Sequence, residues 1–194
     1  MTLKWRRCTE HAKNTLPSIP STRTSIQIDG KFRLTTSQEQ YLQADDGDID
    51  KIKLCSTTEN ILHLCAAETI YCYGTFYTAP PILNQIYNIH AYVGDVMLPL
   101  VFSLQPKRDT ATYNRLFAIL KDIASRHNLN FSPRRVNLDL ECVSRNAAAY
   151  TFPTTELQGC LFHYAKAIWR KTQECGLQTD NEDVLNLVIN YANI

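Results

Sequence analysis

Three consecutive segments rich in tyrosine, phenylalanine, isoleucine and valine most narrowly limit how this chain can fold. They span about residues 69–78, 85–93 and 97–104, and side chains of these types favour β-strands. The connections between the segments contain Pro80-Pro81 and Gly94-Asp95, which are turn signals. Strands joined by short turns pair most simply with their neighbours, so the sequence predicts a three-stranded antiparallel meander.

Helical periodicity is found on both sides of the predicted meander. STTENILHLCAAE, residues 56–68, combines capping residues with an apolar stripe and predicts a short helix before the strands. After the strands, a cap at Asp109 or Thr110 begins a long amphipathic segment. Its apolar residues recur at helical spacing, at Tyr113, Leu116, Phe117, Leu120, Ile123 and Ala124.

The C-terminal part of the chain alternates between the two kinds of element. RRVNLDLE, residues 134–141, predicts a buried strand, and a short helix follows at about 142–150. TELQG, residues 155–159, precedes a long helix that stops near Gly176, and residues 181–194 begin another helix. The order of three antiparallel strands, helix, strand, helix, strand and helix is that of a ribonuclease H-like fold. This predicts an α/β protein with a mixed sheet.

The composition indicates one globular domain with no general attraction to a polyanion. The chain has 194 residues, is 44% hydrophobic and carries a formal net charge of +1. Any contact with DNA must therefore come from a local basic patch. The longest apolar runs, such as MLPLVF, are too short to cross a bilayer, which predicts no membrane partner. The scattered cysteines, seven in number, indicate a reducing compartment.

Residues 1–53 differ in composition from the domain predicted over residues 54–194. TLPSIPSTRTS, residues 15–25, is rich in proline, serine and threonine and predicts a loop. DDGDID, residues 45–50, contains four aspartates, but their spacing does not match a calcium-binding EF-hand loop. A solvated acidic linker is the favoured interpretation of that segment.

Metal-dependent phosphoryl transfer on such a sheet requires carboxylates from different elements. Two Mg²⁺ ions about 3.5–4 Å apart need oxygen ligands around them. Asp139 ends its predicted strand, where one ligand is expected, although it also suits a cap for the next helix. The first strand has Tyr73 and no carboxylate at the corresponding place. A phenol with a pKa of about 10 is neutral at pH 7 and cannot replace an anionic ligand.

The helix predicted after residue 159 carries two candidate binding features. Cys160 and His163 share one face and supply half of a tetrahedral Zn²⁺ site; a packed cysteine beside a hydrogen-bonded histidine is the alternative. No third group marks the pair as a Cys-His nucleophile. Arg170 and Lys171, near Trp169, indicate either a phosphate-contacting edge or an ordinary solvated helix face.

From about residue 54 to residue 177 the chain resembles the transposase domain of Mutator-like elements (MULE), which belongs to the DDE group. The matching stretches follow one another in the family's order and are STTENILHLCAAE, GTFYTAPPILNQIYNIHAYVGDVMLPLVFSLQP, ATYNRLFAIL, NLDLE and FPTTELQGCLFHYAKAIWRKTQECGL. The resemblance implies a ribonuclease H-like fold. It also implies descent from an enzyme that cleaves and joins DNA strands with Mg²⁺.

The resemblance assigns residues to the family's site, with two departures. The family reads Asp-Gly-Thr-Phe on its first strand, and this chain has Tyr73 in place of that metal-binding Asp. The second family Asp falls on Asp139, with Glu141 completing an Asp-x-Glu pattern, and the family's Cys-x-x-His falls on Cys160 and His163. The third acid, a downstream Glu, has no counterpart here. The domain is therefore expected to be incomplete at its C-terminus.

The first residues of the chain resemble, more distantly, the FLYWCH zinc finger that often precedes such transposases. Trp5, Cys8 and His11 within LKWRRCTEHAKNTL carry the resemblance, but the second Cys and the closing His-x-His are absent. Residues 1–53 are therefore expected to be a degenerate remnant or a linker, without a folded zinc site.

Two functions are expected from these features. The first is a transposase-derived domain of a Mutator-like DNA transposon, ancestrally cleaving and transferring DNA strands but inactive here because of Tyr73 and the missing Glu. It implies Mg²⁺ as the ancestral cofactor, Zn²⁺ at the Cys-His pair, transposon-end DNA as the partner and assembly as a homo-oligomer. The second is a domesticated, non-enzymatic DNA- or protein-binding protein. Both functions place the protein in the nucleus. Two further alternatives are an unrelated ribonuclease H-like hydrolase, which the linked motifs disfavour, and a gene fragment without a selected function.

Overall fold

The computed structural model describes residues 20–47, 50–75, 79, 82–139 and 141–176. The zinc-finger-like segment near the N-terminus, the Pro80-Pro81 turn signal and the helix predicted over residues 181–194 lie outside these residues.

Within this part of the chain the protein is a mixed α/β structure built on one seven-stranded sheet. Its strands are β1 Leu42–Asp46, β2 Ile52–Cys55, β3 Thr69–Thr75, β4 Gln85–Val93, β5 Val96–Gln105, β6 Arg135–Leu138 and β7 Glu156–Gly159. The hydrogen-bonded order is β1-β2-β5-β4-β3-β6-β7. The predicted meander is confirmed, because β3, β4 and β5 pair antiparallel. On the other side of β3, strands β6 and β7 pair in parallel, which makes the sheet mixed.

Four α-helices connect or flank these strands within the described ranges. They are α1 Thr58–Ala66, α2 Thr110–Arg126, α3 Cys142–Thr151 and α4 Leu161–Glu174, and a short 3₁₀ helix spans Gly30–Arg33. All four α-helices confirm helices that the sequence predicts, three of them from apolar periodicity. Helices α2 and α3 lie in the crossovers that parallel strands require, between β5 and β6 and between β6 and β7. None of these helices has both the length and the apolar character needed to span a bilayer.

Helix α2 covers one face of the sheet and forms much of the hydrophobic core. Its predicted apolar stripe is fully buried, at Tyr113, Leu116, Phe117, Leu120, Ile123 and Ala124. The stripe belongs to one cluster with inward-facing strand residues, among them Cys72, Ile89, Val101 and Val136. Because burying a large apolar side chain contributes roughly 1.5–3 kcal/mol, this face anchors the sheet.

Strands β1 and β2 extend the sheet into residues that the sequence analysis assigned to the N-terminal region. The boundary expected between residues 53 and 54 falls inside β2, which pairs with β5. Strand β1 pairs with β2 at the sheet edge, and the side chains of Leu42 and Ile52 are buried. Residues from position 42 onward therefore share the sheet of the main domain.

The acidic segment over residues 45–50 is held by cations of the same chain, which differs from the solvated linker that its composition predicts. Asp45 lies 2.5 Å from the ammonium group of Lys53, whose side chain is 2% exposed. Asp46 pairs with Arg115 of α2 at 2.5 Å, and Asp50 pairs with Lys107 at 2.6 Å. These aspartates balance nearby lysine and arginine charges because the chain folds back over the start of α2.

We predict that Asp109→Ala lowers the free energy of unfolding by about 1 kcal/mol, because Asp109 is the N-cap of α2. Its carboxylate accepts hydrogen bonds from the Thr112 amide at 2.8 Å and the Thr112 hydroxyl at 2.7 Å, and these bonds lower its pKa. The contribution is therefore present above the ordinary pKa of 3.8 and is lost as the pH falls through the lowered folded value.

Urea unfolding at neutral and acid pH measures this effect. Asp122→Ala is the control, because Asp122 lies on an exposed part of the same helix and pairs only with Arg126. Equal effects of the two substitutions at neutral pH, or an effect of Asp109→Ala that grows in acid, would contradict the capping role.

Candidate functional site

The parallel pairing of β3 with β6 brings the two predicted metal-site positions to one region. Cys72 on β3 pairs with Leu138 on β6, and Tyr73 and Asp139 are the residues that directly follow this pair. Parallel strands run in the same direction, so residues that follow a pair lie beside each other near the carboxyl ends of both strands. The structure therefore places Tyr73 and Asp139 next to each other near the carboxyl ends of β3 and β6, where α/β sheets commonly bind ligands.

Tyr73 lies in an aromatic and sulfur-containing environment. Its ring centroid is 5.8 Å from that of His90 on β4 and 5.8 Å from that of His163 on α4. Its hydroxyl forms a hydrogen bond with the Cys160 thiol. Burial, reinforced by the neighbouring Cys160 and Cys72 thiols, raises the pKa of Tyr73 well above its ordinary value. The phenol is therefore neutral at physiological pH, as the sequence analysis predicts.

Asp139 is a buried carboxyl group with compensating neighbours. Asp139 is 8% exposed, and this burial raises the pKa of its carboxyl group. His163, Arg108 and a hydrogen bond from Ser144 act in the opposite direction and favour the carboxylate. Its Oδ1 also accepts a hydrogen bond from the Glu141 amide at 3.2 Å, just before α3 begins. The N-cap of α3 is Glu141 and has no side-chain capping bond, so Asp139 bonds the amide of the cap residue and is not itself the helix cap.

Glu141 is joined to a cation and to a buried phenol. Its Oε1 forms an ion pair with the Arg108 guanidinium, and its Oε2 accepts a hydrogen bond from the Tyr113 hydroxyl at 3.0 Å. Glu141 is also the N-cap residue of α3, where a negative charge interacts favourably with the helix dipole. Both oxygens of this carboxylate are therefore engaged by groups from α2 and the segment just before it.

Three residues of this region were not identified as site residues from the sequence: Arg108, Tyr113 and His90. Arg108 stands one residue before the α2 cap, where no periodic pattern identifies it. Tyr113 is correctly predicted as a core residue, but its hydroxyl contact with Glu141 joins positions 28 residues apart. His90 is reached only through the pairing of β4 with β3. Such contacts depend on tertiary structure and leave no local signal.

Cys160 and His163 both lie at the beginning of α4, and each is close to Tyr73. Cys160 is the N-cap residue of the helix and is 6% exposed, and His163 lies in the first turn. Cys142 and Cys175, the further zinc ligands that the sequence offers in this half, are both exposed free thiols. No group of three or more His, Cys, Asp or Glu side chains among the described residues is arranged to hold a metal ion.

The residues around Asp139 do not fit Mg²⁺. This ion requires several oxygen ligands, and anionic ones bind it best. The neighbouring β3 position supplies a neutral phenol, Glu141 is ion-paired, and Arg108 adds a positive charge to the same region. Among the residues that the structure describes, Mg²⁺ is thus offered one partly compensated carboxylate at the predicted site.

Arg170 and Lys171, the predicted DNA-contacting residues, lie in the last two turns of α4. Both are exposed, and the Lys171 ammonium group lies 3.2 Å from the carboxylate of Glu174. They occupy the opposite end of the helix from Cys160 and His163. The structure thus keeps the basic positions separate from the region around Tyr73.

No family model matches the sequence, and no curated protein matches it. Function is therefore inferred from the motifs and from the geometry around Tyr73 and Asp139.

We predict that Tyr73→Phe keeps the fold but lowers the free energy of unfolding by about 0.5–1 kcal/mol, because it removes the hydrogen bond with Cys160. Urea unfolding measures the change. Tyr71→Phe is the matched control, since Tyr71 lies on the same face of β3 and its ring packs edge-on against Tyr92. A loss of stability no larger than in the control would show that the Tyr73 hydroxyl contributes nothing.

Proposed function

We propose that this chain is a ribonuclease H-like domain derived from the transposase of a Mutator-like element, and that it acts as a non-catalytic DNA-binding protein. The observation that carries the proposal is the joint position of Tyr73 and Asp139. They follow the paired residues Cys72 and Leu138 on adjacent parallel strands, where the resemblance assigns the first two metal-binding acids. The strand order supports it too, because a three-stranded meander with two parallel strands beside its first strand is the arrangement expected for such a fold.

Loss of catalysis follows from the charges at this site. Strand cleavage by two metal ions depends on anionic ligands that hold both ions in line with the scissile phosphate. Electrostatic stabilisation of the transition state is usually the largest contribution to rate, and a bound metal ion supplies several kcal/mol of it. Here a neutral Tyr73 and a compensated Asp139 replace two anions. Within the described residues, the ancestral Mg²⁺ chemistry therefore has no set of anionic ligands to support it.

The surface that remains suited to DNA is the exposed end of α4. Arg170 and Lys171 project cationic side chains there, away from the degenerate site. Phosphate contacts by such side chains need no metal and no catalytic geometry. In this proposal Cys160 and His163 serve as structural partners of Tyr73, and a DNA-binding role places the protein in the nucleus. A domesticated protein-binding role is the second candidate, which the DNA-binding measurement below separates from the first.

We predict that the purified chain does not nick supercoiled DNA with Mg²⁺ or Mn²⁺. The reason is the missing anionic charge at Tyr73 together with the compensated charge at Asp139. The assay compares the wild-type chain with Asp139→Asn, prepared in parallel to reveal contaminating nucleases. Nicking that requires Asp139 would overturn the non-catalytic assignment.

We predict weak, salt-sensitive binding to random duplex DNA that falls when Arg170 and Lys171 are both changed to Glu. Each lost phosphate contact reduces the slope of log affinity against log salt by about 0.9. Gel-shift titrations at several salt concentrations measure this slope. Lys121→Glu with Arg126→Glu is the matched control, because it makes the same charge change on helix α2. Equal loss in both double variants would exclude a specific α4 surface, and no binding at low salt would favour the protein-binding alternative.

A further inference from the structure

We propose that Arg108 is a built-in counter-ion that takes the electrostatic place of a divalent metal beside Asp139 and Glu141. The inference rests on the proposed function for the position of the former metal site. The inference adds to the proposed function a second feature, besides Tyr73, that disfavours metal binding. The poor fit of this site to Mg²⁺ is thus a consequence of charge added as well as of charge lost.

The ion pair between Arg108 and Glu141 joins two separate crossovers of the fold. Arg108 lies between β5 and α2, and Glu141 lies between β6 and α3. Their side chains are 39% and 24% exposed, so solvent screens the pair only in part. Because the second oxygen of Glu141 accepts the Tyr113 hydroxyl, this carboxylate has no oxygen left without a protein partner. A metal ion would have to displace one of these partners.

Asp139 is the neighbour of this ion pair on the chain, two residues before Glu141. The amide of Glu141 donates to Asp139 at 3.2 Å, so the two acids are also held to each other through the backbone. Arg108 therefore pairs with one of the two carboxylates that the resemblance assigns to this end of β6, and the other accepts a hydrogen bond from the amide of that same glutamate. An internal cation in that position repels an incoming Mg²⁺.

A buried hydrogen-bond chain fixes the position of this ion pair. The Tyr113 hydroxyl accepts a hydrogen bond from the Gln85 amide at 2.8 Å, and the same amide donates to Gln105. Gln85, Gln105 and Tyr113 are each 0% exposed. Buried polar groups linked in this way resist rearrangement, because breaking one bond leaves others unsatisfied. Glu141 is therefore held from the protein interior, and Arg108 is paired to a carboxylate that does not swing freely.

The decisive experiment measures Mn²⁺ binding by titration calorimetry in four chains: wild type, Tyr73→Asp, Arg108→Gln and the double variant. We expect the double variant to bind Mn²⁺ at least about tenfold more tightly than Tyr73→Asp, because both variants carry the added anion and only the double variant lacks the neighbouring cation. Arg145→Gln in the Tyr73→Asp background is the matched control, since it removes the same charge from an exposed site on α3. Equal affinity of Tyr73→Asp with and without Arg108→Gln would overturn the inference.

Arg108→Lys in the Tyr73→Asp background separates charge from the shape of the side chain. Lysine keeps the positive charge, so we expect affinity for Mn²⁺ close to that of Tyr73→Asp alone. A gain as large as that from Arg108→Gln would show that steric relief, and not charge, controls binding, and the counter-ion role would be rejected.

Thermal unfolding without metal tests the counter-ion role independently of the site's ancestry. We expect Arg108→Gln to lower the melting temperature, and Glu141→Gln added to it to restore part of the loss, because the uncompensated carboxylate is removed. Additive losses in the double variant would count against an ion pair. This result does not depend on whether the chain nicks DNA, which tests the proposed function alone.

Discussion

The parallel pairing of β3 with β6 is the constraint on which the rest of the site depends. Once Cys72 is paired with Leu138, the residues that follow them, Tyr73 and Asp139, must lie beside each other near the carboxyl ends of the two strands. The crossover that makes this pairing parallel contains α2, whose buried stripe holds the helix on the sheet. Packing of an ordinary amphipathic helix therefore determines which polar groups meet.

Much of the fold follows from periodicity, and that part was predictable. The meander of β3, β4 and β5 and helices α1 to α4 all carry apolar repeats that burial requires, so the sequence analysis located them. Strands β1 and β2 were not recognised because they are short and flank an acidic segment. The pairing of β2 with β5, and the ion pairs of Asp46 and Asp50, depend on residues more than 40 positions away.

The candidate site likewise contains residues that the sequence predicts and residues that only the structure identifies. Tyr73, Asp139, Cys160 and His163 lie in motifs whose spacing can be read along the chain, and the structure brings Tyr73 close to both members of the Cys-His pair. Arg108 belongs to no motif, since its role comes from a partner on another crossover. Sequence reasoning identified the neutral phenol of Tyr73 in this region. It did not identify the charge that compensates the groups which remain.

The neutral side chain of Tyr73 and the positive charge of Arg108 are related through the total charge of the site. Asp139 and Glu141 contribute two negative charges and Arg108 one positive charge, so these groups leave a formal charge of −1. An additional carboxylate on β3 would raise the negative charge and call for a further cation, whereas a neutral phenol does not. Tyr73 also fills its position with a ring that packs between His90 and His163. A carboxylate is smaller and would leave part of that space to water. The phenol at position 73 and the guanidinium at position 108 thus support the same state, a packed site whose negative charge is smaller than that of a metal-binding cluster of carboxylates.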